Sequence, residues 1–325
     1  MKAILVRNTE EGYSTALTEV SESELPEGDV AVDVVWSTLN YKDALAVTGR
    51  GKVIRSFPMV PGIDFAGVVT ESRHPDYKPG DEVVMTGWGM GETRWGGFAA
   101  RARVFGDMLV KLPPPLSLRD SMVIGTAGLT SMLCVLALER QGVKPDRGPV
   151  LVTGATGGVG SIAVKILAGR GYDVVASTGK SSEQAYLHEL GAKEIIDRNE
   201  LSAPGKPLEK ERWAAAIDTV GGNTLANVCA STRYLGIVAA CGLVESIKFP
   251  ATVAPFILRG VTLVGIDSGQ CPLPLREQAW SALASELPRD FFQLIAREVS
   301  LDEVSGVSEE ILAGTVRGRL LVRVT

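Results

Sequence analysis

Histidine is nearly absent: only His74 and His188 occur in 325 residues, and neither sits at a metal-ligand spacing. Cysteine is scarce as well. Cys134, Cys229, Cys241 and Cys271 lie far apart with no Cys-x-x-Cys pair, which argues against a disulfide framework or a cysteine zinc site and for reduced, mostly buried thiols. There is no cationic excess, with 33 Lys and Arg against 38 Asp and Glu and a net charge of −5, so a nucleic-acid partner is not expected. The longest mostly apolar stretch, 127–138, is too short to span a bilayer. The opening MKAILVR shows neither an apolar signal core nor a small-residue cleavage site, so a cytoplasmic protein without a membrane partner is expected. No internal repeat or low-complexity segment stands out.

What is present is chain enough for two domains, with an ordinary globular composition of 45% apolar and 22% charged residues. The first 122 residues carry short β-branched runs, such as 29–37, 66–70 and 81–86, punctuated by Gly, Pro and Asp. From Val123 the texture changes to apolar strands alternating with helical segments: strands at 150–153, 173–178 and 194–197, with helices ending near Ala168 and Leu190. Further strand candidates at 215–220, 236–241 and 261–266 bring the number to six, which suits a doubly wound, parallel Rossmann sheet. The tail, with a helix at 275–287 and a closing strand at 318–324, returns to the texture of the first domain. The reading is therefore α/β, with a β-rich catalytic domain from 1–122 and 268–325 and a nucleotide-binding domain from 123–267.

The stretch LVTGATGGVG, residues 151–160, places Gly154, Gly157 and Gly160 at G-x-x-G-x-x-G spacing with Gly158 between them, behind a strand and ahead of a helix. Bare backbone there permits a tight strand-to-helix turn, lets a pyrophosphate approach the amides at the helix start, and lets helix and strand pack closely. Gly154, Ala155, Thr156, Gly157, Gly158, Val159 and Gly160 are thus the first cofactor-binding candidates. An NAD-specific site offers an acid at the end of the next strand. This chain offers Ser177, Thr178, Gly179 and Lys180 instead, a set that accepts a 2′-phosphate and points to NADPH. Arg198, after the third strand, is a second phosphate candidate, the alternative for both cations being a solvated surface. Cys241 and Gly242 after the fifth strand, and Asp267 and Ser268 after the sixth, lie where ligands of open α/β sheets collect.

Several segments, NYKDALAVTG (40–49), PGIDFAGVV (61–69), GETRWGGFAA (91–100), GTAGLTSM (125–132) and GIDS (265–268), resemble the zinc-free, quinone oxidoreductase-like branch of the medium-chain dehydrogenase/reductase superfamily. Within it they are similar to the acrylyl-CoA reductases. The resemblance covers essentially the whole chain and implies a GroES-like catalytic domain beside the Rossmann domain. At the three positions where zinc-dependent members carry Cys, His and Cys stand Asn40, Ile63 and Thr126, which make no zinc set, and the four-cysteine structural lobe is missing. No metal is expected, and the reaction class shifts from alcohol–ketone exchange to reduction of an activated C=C bond.

For an α,β-unsaturated thioester, hydride addition at the β-carbon gathers charge on the thioester oxygen and leaves the α-carbon to take a proton. Donors aimed at that oxygen are the largest protein contribution. The Asn40 amide and the Tyr41 hydroxyl are the candidates, with Asp43 and Asp64 as orienting groups. Against this stand a strand-end turn with a packed aromatic for Asn40 and Tyr41, a helix cap for Asp43 and a buried ion pair for Asp64. The resemblance implies that Thr126 and Thr130 approach the nicotinamide, the alternative being helix capping. Arg317 and Arg319 flank the last strand as candidates for the cofactor phosphates or an anionic substrate such as CoA, Arg319 being carried as a cofactor contact. The sixth strand, 261–266, is an apolar sheet edge, which predicts a homodimer through it. An NADPH:quinone reductase and a non-catalytic NADPH-binding protein remain as alternative functions.

Overall fold

The computed structural model describes all 325 residues. The chain divides into two compact units, Met1–Thr126 with Gly269–Thr325, and Ala127–Ser268. In the first unit, strands β1 (Lys2–Thr9) and β2 (Gly12–Glu19) form a two-stranded sheet. They are followed by β3 (Val30–Leu39), helix α1 (Tyr41–Thr48), β4 (Asp64–Ser72), β5 (Glu82–Thr86), β6 (Arg101–Val104) and β7 (Val110–Lys111). Helix α2 (Leu118–Arg140) carries the chain into the second unit.

The second unit holds β8 (Val150–Val152), helix α3 (Gly158–Gly169), β9 (Val174–Thr178), β10 (Glu194–Asp197), β11 (Trp213–Asp218), β12 (Thr232–Ala240) and β13 (Thr262–Gly265). These six strands are all parallel, in the order β10-β9-β8-β11-β12-β13. The central strands β8, β9 and β11 are buried along their whole length, as a parallel sheet covered on both faces requires. The order reverses between β8 and β11, so the glycine turn that leaves β8 stands at the switch point where such sheets bind ligands. The fourth and fifth strands each begin earlier than the sequence pattern suggested, at Trp213 and Thr232.

The chain then returns to the first unit through a helix at Leu273–Glu286, β14 (Ala296–Ser300) and β15 (Arg319–Arg323). The larger sheet there runs β14-β15-β3-β4-β5-β7, with β6 also paired to β3. Antiparallel registers set Thr38 opposite Leu321 and Ser37 opposite Phe65. Thr38, Asp64 and Arg319 therefore share one end of the sheet. Strand β14 and the helices at Arg289–Ile295 and Val304–Leu312 have no counterpart in the sequence reading; they are short elements whose apolar residues repeat too few times to show a period.

The apolar segment near 127–138 lies in α2, which by its total length and composition could cross a membrane but is two helical segments joined at Gly125. Of its most apolar window 83% is buried in the protein, and the helix is broken at Gly125 (φ 49°, ψ −158°), so it is a core helix.

Candidate active site

The first unit gathers its polar residues around two buried carboxylates. Asn40 ends the extended run from β3, and Tyr41 opens α1. Asp43, at the third position of that helix, accepts the Asn40 N–H (2.9 Å), the reach-back half of a capping box, and the Ile63 N–H (2.9 Å). Asp64 starts β4 and accepts from Thr38 Oγ1 (2.6 Å), Asn40 Nδ2 (2.9 Å), the Thr126 N–H (3.0 Å) and the Thr126 hydroxyl. Arg319, at the start of β15, donates from Nη1 to Asn40 Oδ1 (2.9 Å) and from Nε to the Val123 carbonyl (3.0 Å). Its Nη2 lies 4.0 Å from Asp64 with no hydrogen-bond partner. All three charged groups are at most 3% exposed.

Gly125 makes this approach possible. A Cβ there would lie 2.8 Å from both Arg319 Nη2 and Asp64 Oδ2, and its left-handed φ is one that side-chain-bearing residues rarely adopt. Burial, and next the negative charge of Asp64, push Asp43 up to about 7, against the pull of its bonds from Asn40 and Ile63. Burial likewise lowers Arg319, with Asp64 and Asp43 pulling the other way.

This geometry brings three of the sequence candidates into one hydrogen-bonded cluster. The Asn40 amide N–H groups face Asp64, Thr38 Oγ1 (2.9 Å) and Asp43 (3.1 Å), and its carbonyl faces Arg319, so Asn40 has no hydrogen left for a substrate oxygen. Thr126, expected beside the cofactor, donates from both its amide and its hydroxyl to Asp64. Arg319, expected to reach phosphates, is interior and lies beside the two acids, 4.0 Å from Asp64. Tyr41 differs from all of these: it is 36% exposed and no hydrogen bond engages its hydroxyl. Thr38 was not foreseen. Its position two residues before Asn40, at the end of β3, was the only signal available.

The residues at the zinc positions do not fit zinc. Asn40 and Thr126 are bonded into the Asp64 cluster, Ile63 offers only an aliphatic side chain, and an arginine cation lies alongside. The tryptophan-bearing loop at 87–97 is tied into the same unit, with Lys42 bonded to Glu92, the Trp95 indole to the Pro58 carbonyl (3.2 Å), and Arg276 stacked over Trp88 at 4.9 Å.

In the second unit, Gly154 turns out of β8 with φ 59°, and Gly157 caps α3 without any side-chain bond, leaving the first amides of a 12-residue helix open. Gly160 packs so tightly that a Cβ would lie 2.3 Å from the Gly154 carbonyl oxygen. The turn is laced to β9: the Ala155 N–H donates to the Ser177 carbonyl (3.1 Å), and the Thr156 and Thr178 hydroxyls meet at 3.4 Å. At the end of β9 the Arg198 side chain lies on Gly179, one residue from Lys180, so the two cations share one edge with the buried Ser177 and Thr178 hydroxyls. Thr130 donates to the Ser268 hydroxyl (2.7 Å), with Asp267 exposed beside it. Cys241 and Gly242 pack on the end of β11, where the Cys241 N–H donates to the Asp218 carbonyl (2.9 Å). An open glycine turn at a helix start, followed by hydroxyls and two cations with no acid at the second strand end, fits a phosphorylated dinucleotide.

Comparison with known proteins gives two family-model matches, described as alcohol dehydrogenase GroES-like domain over residues 26–114 and zinc-binding dehydrogenase over 158–287. The chain is 52% identical to a probable acrylyl-CoA reductase AcuI of Escherichia coli K12 across the full length of both. It is 48% identical to acrylyl-CoA reductase AcuI of Ruegeria pomeroyi over 99% of this chain and 98% of that one. Among solved structures, the yhdH oxidoreductase from Salmonella enterica in complex with NADP superposes with a TM-score of 0.98 at 51% identity, covering both chains completely.

Proposed function

This chain belongs to the quinone oxidoreductase-like branch of the medium-chain dehydrogenase/reductase superfamily, alongside the acrylyl-CoA reductases, and from that membership we infer that it reduces the C=C bond of acrylyl-CoA with NADPH. The observation that carries the reading is the pairing of a buried, zinc-incompatible acid cluster with an unbonded phenol at its edge. A site of that kind has no Lewis acid with which to polarise an alcohol, but it does have a hydrogen-bond donor for a developing enolate. Bound NADPH supplies the hydride.

The protein's part falls to the following side chains. Tyr41 donates from its hydroxyl to the thioester oxygen as charge collects there; in the following step that proton passes to the α-carbon, and solvent returns a proton to the phenolate. Asn40 is a positioning residue. Held by Arg319 on one side and Asp64 and Asp43 on the other, it fixes the first residue of α1 and with it Tyr41. The amides following Gly157 receive the pyrophosphate, and Lys180 and Arg198 receive the 2′-phosphate. Lys180→Ala is expected to lower the NADPH-to-NADH preference about tenfold through loss of a charge-assisted contact. An unchanged ratio of kcat/KM values would remove Lys180 from the site.

The subunit is proposed to work as a homodimer. β13 ends its sheet, and the segment between β12 and β13 exposes Leu243, Val244, Ile247, Val253, Ile257 and Leu258, each by at least 57%. Edge-to-edge pairing about a twofold axis covers both. Light scattering at micromolar concentration should return twice 34.5 kDa, and Ile257→Glu should shift it toward the monomer. The four cysteines are all free thiols, which supports a cytoplasmic location.

The experiment that tests the function is NADPH oxidation with acrylyl-CoA against a simple quinone, each repeated with NADH. Saturable thioester turnover that prefers NADPH is the expected result. Turnover of the quinone alone would replace this reading with the quinone reductase one.

A further inference from the structure

Asp218 is wholly buried at the end of β11, yet it takes no part in the reaction described above. Its Oδ1 accepts from Thr153 Oγ1 (2.7 Å), and its Oδ2 accepts the N–H groups of Gly221 (2.7 Å) and Val220 (3.3 Å). Thr153 is the last residue before Gly154. Its hydroxyl in turn accepts the Thr219 N–H (3.0 Å), while the Thr219 hydroxyl donates to the Thr153 carbonyl (2.9 Å). That knot presses against the first glycine of the turn: a Cβ on Gly154 would lie 2.3 Å from Thr219 Oγ1. On the other side, Gly242 packs so closely that its Cβ would lie 1.9 Å from the Thr219 carbonyl oxygen. The Asp218 carboxylate thus ties the end of β8 to the turn after β11, and its backbone carbonyl accepts the Cys241 N–H (2.9 Å) at the end of β12, beneath the edge where ligands of such sheets bind.

We propose that Asp218 is the positioning residue of the dinucleotide turn: through Thr153 and the Val220–Gly221 amides it holds Gly154 and the strand ends in the shape that receives NADPH, without touching the cofactor. This rests on the NADPH reading above. The titratable groups facing Asp218 are Glu245 after β12, Cys229 on the helix Gly222–Ala230, Cys134 on α2 and Cys241 at the end of β12. None of these is a cation, so hydrogen bonds alone hold the ionised form. Burial pushes Asp218 up to about 6 against those bonds, with Glu245 adding to the rise. Protonation therefore removes an acceptor just below neutral pH.

The test is NADPH binding by fluorescence titration from pH 5 to 8, on the wild-type protein, Asp218→Asn and Thr153→Val, with apo thermal stability and kcat at saturating NADPH as controls. Asp218→Asn should bind NADPH about tenfold more weakly at pH 7.5, the size expected for losing hydrogen bonds to a charged acceptor. Saturated kcat should stay within about twofold, since positioning of the turn is a binding effect. The wild-type advantage should shrink as the pH falls through about 6. Taking the ratio of wild type to variant cancels the titration of the cofactor's own 2′-phosphate. Equal affinity of the folded variant at pH 7.5, or a ratio that does not change with pH, overturns the proposal. If Asp218→Asn does not fold, Thr153→Val decides: full NADPH affinity in that variant overturns it. A wild-type protein that binds no NADPH overturns the underlying cofactor reading as well.

Discussion

Tyr41→Phe should lower kcat on acrylyl-CoA by about 10²–10³-fold, the loss typical of removing one donor aimed at a developing oxyanion. NADPH affinity should hold within about twofold, because the phenol is assigned to the thioester and the dinucleotide is assigned to the glycine turn. Removing one oxygen from a side chain that is 36% exposed and makes no hydrogen bond leaves nothing buried unsatisfied, so folding stability should be unchanged. That separates chemistry from packing. Asn40→Ala, by contrast, opens the cluster of Asp43, Asp64 and Arg319 and should lose stability and kcat together. Steady-state kinetics with a parallel thermal melt distinguishes the two cases. A Phe variant with full thioester turnover would end the donor assignment.

Arg319→Met should cost about 3–5 kcal/mol of folding stability at pH 8, since removing one partner leaves the others as uncompensated buried charge. Asp64 keeps its four donors, but Asp43 and Asp64 then share a buried space without a cation, and the Asn40 carbonyl loses its partner. The pH dependence has a definite sign. Asp43 sits at about 7 in the folded chain against an ordinary 3.8, so the folded state holds that proton more tightly than the unfolded one. Its contribution to stability is complete below about pH 4 and is lost as the pH rises through about 7. Without the cation the carboxylate is still harder to ionise, so the deficit of Arg319→Met should be smaller at pH 5 than at pH 8. Arg319→Lys should rescue only in part, because an ammonium does not bridge Asn40 and Val123 as the guanidinium fork does. Urea unfolding at the two pH values measures all of this, and equal stability of wild type and Arg319→Met at both would remove the ion cluster from the stability argument.

The two kinds of site were unequally legible. Around Gly154 the sequence order is nearly the spatial order: a strand, a glycine turn and a helix lie consecutively, and Lys180 follows the next strand. Even so, the contact of Arg198 with Gly179 needed the parallel register that sets Asp197 beside Thr178. Asp218 escaped notice because nothing local marks it; an acid ending an apolar strand declares itself only once its burial is known.

By itself, then, the sequence determined the alternation of strands and helices, the glycine turn, a second strand end that carries hydroxyls and Lys180 in place of an acid, and the lack of Cys or His at positions 40, 63 and 126. Periodicity, backbone freedom and ligand chemistry are properties of neighbouring residues and survive without knowledge of the fold. Tertiary structure alone decided which polar groups are free to act. Arg319 meets Asn40 across 279 residues of chain, and Thr126 turns to Asp64 across 62. A buried hydrogen or lone pair can serve only a few partners, and which partners those are depends on where the folded sheet brings them. That is why Asn40 and Thr126, chemically apt in the sequence, hold the cluster together, and why Tyr41 is left with the open hydroxyl.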